Sequence, residues 1–126
     1  MSEFKSLGSK SNEYNGLETF ESPTRLDQVL LSSDEVTAIC PITSQPDWYK
    51  VDVLYYPRKK CVESKTFKLF MHSLRQVGMF CEALSQHILE EVLKATDARE
   101  ILVTVTQKPR GGVTISATSK YKLETP

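Results

Sequence analysis

The hydrophobic pattern changes its period along the chain, and this change limits the folds that the chain can adopt. Residues 50–56 alternate with a period of two, which predicts a strand. Residues 65–74 and 80–95 instead carry apolar side chains at helical spacing, on either side of a break at a glycine. Residues 100–107 and 113–121 alternate again and predict two further strands.

The first half of the chain is less regular. Residues 35–40 predict a brief strand that ends at a proline. Residues 61–63 predict a short return strand, which a turn at residues 57–60 joins to the strand before it. Residues 23–31 are expected to form a short helical piece, and residues 1–30 as a whole are expected to form an N-terminal arm.

The resulting element order is strand, strand, helix, helix, strand, strand. It predicts an α+β fold in which two hairpins form an antiparallel sheet and both helices cover one face. The length of 126 residues suits one domain, over residues 31–126. The strands carry apolar residues on both faces, for example Leu54 and Tyr56 opposite Val53 and Tyr55. We therefore expect neighbouring subunits to cover the second face, in a homo-oligomer.

Charge and composition exclude several partner classes. The chain has 16 Lys+Arg and 16 Asp+Glu, so its formal net charge of zero argues against nucleic acid as a direct partner. Residues 57–81, however, hold six basic side chains and one acidic side chain, which favours a smaller anionic ligand. No apolar run approaches the roughly 20 residues of a membrane span, so no membrane partner is expected.

The cysteines indicate the compartment. There are three, about twenty residues apart and without a C-x-x-C pair, which argues against a disulfide framework or a zinc site. This usage favours a reducing cytoplasm and predicts no metal cofactor. The chain also lacks the glycine-rich motifs of Rossmann and Walker nucleotide sites.

Several side chains are candidates for chemistry, and each also has a structural explanation. Cys40 is a small buried hydrophobe or a nucleophile on a loop between two prolines, and Asp47 is a turn residue or its proton partner. Glu82 is favoured at the start of a helix, but beside Phe80 it can also bind the N–H edge of a flat heterocycle. Arg110 lies in a hairpin turn, where it can also hold a phosphate.

The strand-to-helix junction at residues 62–65 also has both a structural and a functional interpretation. It is either an ordinary helix start, with Ser64 as the cap and solvated lysines, or a place where amides and lysines hold a phosphate.

Five motifs occur in one order along the chain: Ile39-Cys40-Pro41, Gln45-Pro46-Asp47, Glu63 to Phe70, Phe80-Cys81-Glu82 and Pro109-Arg110-Gly111-Gly112. Together they resemble the NADPH-dependent 7-cyano-7-deazaguanine reductases, the QueF nitrile reductases of queuosine biosynthesis, over nearly the whole chain. The Glu63–Phe70 segment matches that family's specific signature apart from Thr66.

The resemblance implies a tunnelling fold (T-fold) that assembles into a ring barrel, commonly two stacked pentamers. It implies that Cys40 is the nucleophile that forms a covalent thioimidate with the nitrile and that Asp47 is the proton donor. It also implies two binding sets, for the deazaguanine and for NADPH respectively: Val62, Glu63, Ser64, Cys81 and Glu82; and Ser64, Lys65, Arg110 and Gly111.

One position departs from the family pattern, because Cys81 stands where the family often has His before the substrate-binding glutamate. Other functions with the same fold remain open. One is an amidinotransferase-like relative that passes the thioimidate to ammonia, as in archaeosine formation. Others are a zinc-dependent cyclohydrolase and a non-catalytic purine- or pterin-binding oligomer.

Overall fold

The structure is a computed structural model and describes residues 13–124. Within residues 13–124, six strands and two α-helices follow one another, with a short 3-10 helix, Leu74–Gln76, between the α-helices. The elements are β1 (Thr19–Glu21), β2 (Val29–Ile39), β3 (Pro46–Tyr56), β4 (Lys60–Val62), α1 (Ser64–Ser73), α2 (Cys81–Ala95), β5 (Glu100–Arg110) and β6 (Val113–Lys122).

The main sheet has four antiparallel strands in the order β2-β3-β5-β6. β3 is central, and its alternate side chains Val51, Val53 and Tyr55 are fully buried against the helices, as its period-two pattern predicts. β2 and β6 are the two edges of this sheet. The predicted α+β fold is confirmed, and the four strands of the main sheet follow the ββααββ order with the two α-helices.

Two local predictions for the first half of the chain are wrong. Residues 61–63 do not return along β3, because β3 pairs with β2 on one side and with β5 on the other. The short strand β4 pairs instead with β1 in a separate two-stranded sheet. Residues 23–31 are not helical either, since a turn at residues 24–25 leads into β2, which begins at Val29.

The two helices cover the sheet as their apolar stripes predict. α1 buries Phe67, Phe70 and Met71, and α2 buries a stripe that includes Leu84 and Ile88. The helices pack on the same face of the sheet, so that the strands and helices share one hydrophobic core.

The segment before β1 packs onto the helices. The ring of Tyr14 stacks on Phe70 at 4.7 Å between centroids, and its hydroxyl donates a hydrogen bond to Glu91 at 2.6 Å. Residues 1–12 of the expected N-terminal arm lie outside the described residues, and the division into residues 1–30 and 31–126 stays a prediction. Within residues 13–124, neither helix has the length and apolar character needed to cross a membrane.

Candidate active site

Asp47 lies at one end of the central strand β3, on the face that the helices cover. It is opposite Ala38 of β2, and its side chain is only 8% exposed. The carboxyl group of Asp47 is therefore largely shielded from water. The pairing of β3 with both neighbours then decides which side chains join Asp47.

A bulge in β2 brings Cys40 to the same face. The register between β2 and β3 shifts between Ser33 and Val36, so that one extra residue is inserted in β2. Before the bulge odd-numbered residues such as Leu31 face the helices, whereas after it Val36 and Ala38 do. Cys40 continues this second series, and its amide donates to the carbonyl of Gln45 across the hairpin at 2.9 Å. By this register Cys40 lies on the face that carries Asp47.

The loop after Cys40 favours its thiolate form. The Thr43 hydroxyl, followed by the amides of Thr43 and Ile42, hydrogen bonds the sulfur and holds the pKa of Cys40 below its ordinary value. Burial and the charge of Asp47 act in the opposite direction. The loop is closed by a hydrogen bond of 2.9 Å from the Ser44 amide to the Cys40 carbonyl. A half-buried cysteine with a lowered pKa is a suitable nucleophile.

A second bulge, in β5, brings in Arg110. The register between β5 and β6 shifts between Gln107 and Arg110, which moves Arg110 rather than Pro109 onto the helix-facing side. Its guanidinium forms an ion pair with Asp47. Gly111 and its neighbour form the tight turn that follows, both with the positive φ that this hairpin type requires.

The start of α2 completes this end of the molecule. Cys81 is buried, and its thiol donates to the carbonyl of Val105 at 3.2 Å. Burial, followed by the charge of Glu82, raises the pKa of Cys81. Glu82 is exposed in the first turn, and the neighbouring Phe80 ring is 52% exposed. A carboxylate and an aromatic face are thus both open to a ligand here.

Tyr49 belongs to the same cluster, although it was not a predicted site residue. It lies two residues after Asp47 on the same face of β3. Burial raises its pKa to about 12, and four charged or thiol groups add to the effect, in the order Asp47, Cys81, Cys40 and Glu82. The spacing of two residues between Asp47 and Tyr49, which places both side chains on one face of a strand, was the sequence signal that could have identified it. We call this cluster, with Arg110 and Gly111, the Cys40 end.

The remaining predicted site residues lie elsewhere. The amide of Val62 donates to the Tyr55 hydroxyl at 2.9 Å, and Tyr55 is eight residues from Asp47 along β3, or about 26 Å at the usual strand rise. The structure therefore places the predicted residues in two groups. We call the second group, Val62 to Lys65, the Glu63 end.

At the Glu63 end the glutamate caps its own helix. Glu63 is buried, and its carboxylate accepts hydrogen bonds from the amides of Lys65 at 2.8 Å and Thr66 at 2.7 Å. The helix cap is thus Glu63 and not Ser64, because the longer side chain reaches back to both free amides. Ser64 is exposed, and it lines a groove of about 540 Å³ between α1 and β2 that also includes Lys68.

No group of three or more His, Cys, Asp or Glu side chains within residues 13–124 is placed to hold a metal ion. The fold and the site together define a class. A ββααββ unit of this kind is a T-fold protein, and here the helix-covered face of its first hairpin carries a thiol and a carboxyl group side by side.

Comparison with known proteins identifies the family. The chain belongs to the QueF family, whose model, described as QueF-like protein, matches residues 46–126. A relative from Chloroherpeton thalassium, named NADPH-dependent 7-cyano-7-deazaguanine reductase, is 36% identical over 86% of this chain and 95% of its own. A relative of the same name from Helicobacter pylori is 38% identical over 95% of this chain and 86% of its own.

A solved structure shares the fold. The crystal structure of the archaeosine synthase QueF-Like in the apo form superposes with a TM-score of 0.72 at 27% identity, over 84% of this chain and 100% of that one. The resemblance on which the sequence interpretation depends is therefore confirmed, and so is the T-fold.

Proposed function

We propose that this protein reduces the nitrile of 7-cyano-7-deazaguanine to the aminomethyl group, with two NADPH, in queuosine biosynthesis. The observation that carries the proposal is the placement of Cys40 and Asp47 on one face of the β2–β3 hairpin, with the pKa of the thiol lowered and the carboxylate shielded from water. The names of the relatives support the same substrate and reductant.

Cys40 and Asp47 perform the first step. The Cys40 sulfur adds to the nitrile carbon, and the nitrile nitrogen takes a proton from Asp47, which yields a covalent thioimidate. The carbon is now a better hydride acceptor than in the nitrile. After the first reduction the tetrahedral adduct expels the Cys40 thiolate and becomes an imine, which the second reduction converts to the amine.

The heterocycle is bound by groups from the Cys40 end of one copy and from the Glu63 end of a neighbouring copy. Glu82 accepts hydrogen bonds from the N–H edge of the ring, and the exposed Phe80 offers a face for stacking. Cys81 contributes through its backbone, because its thiol already donates to a carbonyl. Val62, Glu63 and Ser64 complete the binding set.

The cationic groups fit the phosphates of NADPH, which supplies the hydride when it is bound. Arg110 is half exposed beside a glycine turn that allows close approach of a ligand to the backbone of Gly111. Ser64 and Lys65 supply a hydroxyl and a second cation at the Glu63 end. Arg110 also forms an ion pair with Asp47, so the cation proposed for the cofactor lies directly beside the proposed proton donor.

We propose that one complete site uses more than one copy of the chain. The Cys40 end and the Glu63 end are about 26 Å apart along β3, too far for one small heterocycle to touch both. The edge strands β2 and β6 are 11 and 10 residues long and suit pairing with neighbouring copies. Head-to-tail pairing of such edges closes a ring barrel, and we propose a decamer of two pentamers. The three free cysteines favour the cytoplasm.

One other function has a specific observation in its favour. The shared fold with an archaeosine synthase allows a reaction in which ammonia, rather than hydride, attacks the thioimidate. The Glu63-Ser64-Lys65 sequence, which the resemblance assigns to the reductases, and the relatives named NADPH-dependent favour reduction. NADPH oxidation distinguishes the two.

The test uses the purified protein and 7-cyano-7-deazaguanine. Without NADPH, intact mass should increase by the mass of the substrate, and Cys40→Ala should give no increase. With NADPH, two equivalents should be oxidised for each substrate consumed, and Cys40→Ala should lower the rate by at least about a thousandfold. An adduct that persists in Cys40→Ala contradicts the mechanism, and an adduct without NADPH oxidation contradicts the reductase function.

A further inference from the structure

Tyr49 has an unusual position in the core. Its side chain lies on the helix-facing side of β3, between Asp47 and the fully buried Val51, and the residue is only 1% exposed. A ring so placed contributes to packing, as the rings of other core tyrosines do. Its hydroxyl is different, because it is influenced by the charged and thiol groups of the Cys40 end.

The Tyr49 hydroxyl has no hydrogen-bond partner among residues 13–124. This is uncommon, because a buried tyrosine usually pairs its hydroxyl. The other deeply placed tyrosines do so: the Tyr55 hydroxyl accepts from the Val62 amide, and the Tyr14 hydroxyl donates to Glu91. Every fully buried polar side-chain atom of the described residues is paired. The small accessible area of Tyr49 therefore includes its hydroxyl oxygen.

The groups around this hydroxyl are acceptors or are already in use. The electrostatic influence on Tyr49 comes from Asp47, Cys81, Cys40 and Glu82, all at the Cys40 end. The Cys81 thiol donates to the carbonyl of Val105. With its pKa raised to about 12, Tyr49 keeps its proton at neutral pH and remains a donor.

The substrate of the proposed function has an acceptor that needs such a donor. Its ring carbonyl lies between the ring N–H, which Glu82 would bind, and the nitrile, which Cys40 would attack. We propose that the Tyr49 hydroxyl donates a hydrogen bond to this ring carbonyl and so fixes the orientation of the heterocycle. This inference depends on the proposed function and adds a specificity contact to it.

The test compares Tyr49→Phe with the unaltered protein. Removal of the hydroxyl should raise the KM for 7-cyano-7-deazaguanine by about tenfold, because the ring carbonyl then loses its partner in a dry pocket. The change in kcat should be smaller. Tyr56→Phe is the matched control, since Tyr56 lies near the far end of β3 on the opposite face, beside Arg99, and its KM should not change.

A substrate analogue makes the test specific. With 2-amino-7-cyano-7-deazapurine, which lacks the ring carbonyl, Tyr49→Phe and the unaltered protein should have the same KM. An unchanged KM for the natural substrate, or a penalty that persists with the analogue, overturns the role of Tyr49. Absence of any adduct or NADPH oxidation in the unaltered protein would instead contradict the proposed function, so the two failures are distinguishable.

Discussion

The two ends of the molecule each place a glutamate at the start of a helix, but in opposite states. Glu63 is 7% exposed, and both oxygens of its carboxylate accept hydrogen bonds from amides of α1. Glu82 is exposed in the first turn of α2, and no hydrogen bond from the described residues engages its carboxylate. The same residue type thus stabilises the fold at one end and is open to a ligand at the other.

This difference separates two roles that the sequence pattern assigns alike. Both glutamates belong to the predicted substrate-binding set, yet a ligand can approach Glu82 without any loss to the folded chain. A ligand that took the Glu63 carboxylate would have to replace two helix-capping hydrogen bonds. We therefore expect Glu63 to act through the shape of the α1 start, and Glu82 through a direct contact.

Of the changes that compare the two ends, Glu82→Ala has the largest expected effect. Loss of a charged acceptor for the N–H edge should weaken substrate binding by about 30- to 100-fold. The measurement is the rate of adduct formation as a function of substrate concentration, followed by intact mass. The free energy of unfolding should stay within about 0.5 kcal/mol of the unaltered protein, as for most surface changes.

Glu63→Ala is the matched counterpart of that change. It should lower the free energy of unfolding by about 1–2 kcal/mol, because two amides of α1 lose their partners. Urea unfolding followed by circular dichroism measures this. If Glu63→Ala left stability unchanged and Glu82→Ala lowered it, the assignment of the two roles would be reversed.

A smaller effect is expected at the cations. Arg110→Ala and Lys65→Ala should each raise the KM for NADPH by about tenfold, since each removes one charged contact to a phosphate. Both variants should still form the adduct with the nitrile substrate. Loss of the adduct in Arg110→Ala would mean that its ion pair with Asp47 is needed for the first step and that its charge does not serve the cofactor.

The smallest effect concerns the reactivity of Cys40. Its pKa is held down first by the Thr43 hydroxyl, so Thr43→Val should raise that pKa and leave less thiolate at neutral pH. The rate of alkylation of Cys40 by iodoacetamide should fall roughly threefold, the scale of one hydrogen bond. The two proteins should react equally at a pH above both pKa values. Cys81, which is buried and has a raised pKa, serves as the slow internal reference.

The element order and the helices were predictable because their periodicities are long and regular. The buried stripe of α1 and the alternation of β3 leave little choice of structure. The strand partners were harder to predict. The short Lys60–Val62 segment follows a turn, so it resembles a hairpin return, but pairing with Thr19–Glu21 leaves β3 free for two long neighbours.

The sequence indicates candidate site residues, but it does not indicate how they are arranged in space. The motifs around Cys40 and Asp47 indicate the chemistry, whereas the bulges that align the side chains have no distinctive composition. Tyr49 was missed because a tyrosine in an alternating strand is typical of a core residue. Its unpaired hydroxyl is visible only once the neighbouring groups are placed.

The bulge in β2 decides which face of the sheet carries Cys40. Asp34 and Glu35 are both exposed, so substitutions there change little in the core. One residue has to bulge out here, because plain alternation from Ser33 onward would turn Val36 and Cys40 away from the helices. Deletion of Asp34 or Glu35 would remove that extra residue and leave both side chains on the helix-facing side. We therefore expect this segment to tolerate the loss of one residue as well as substitution.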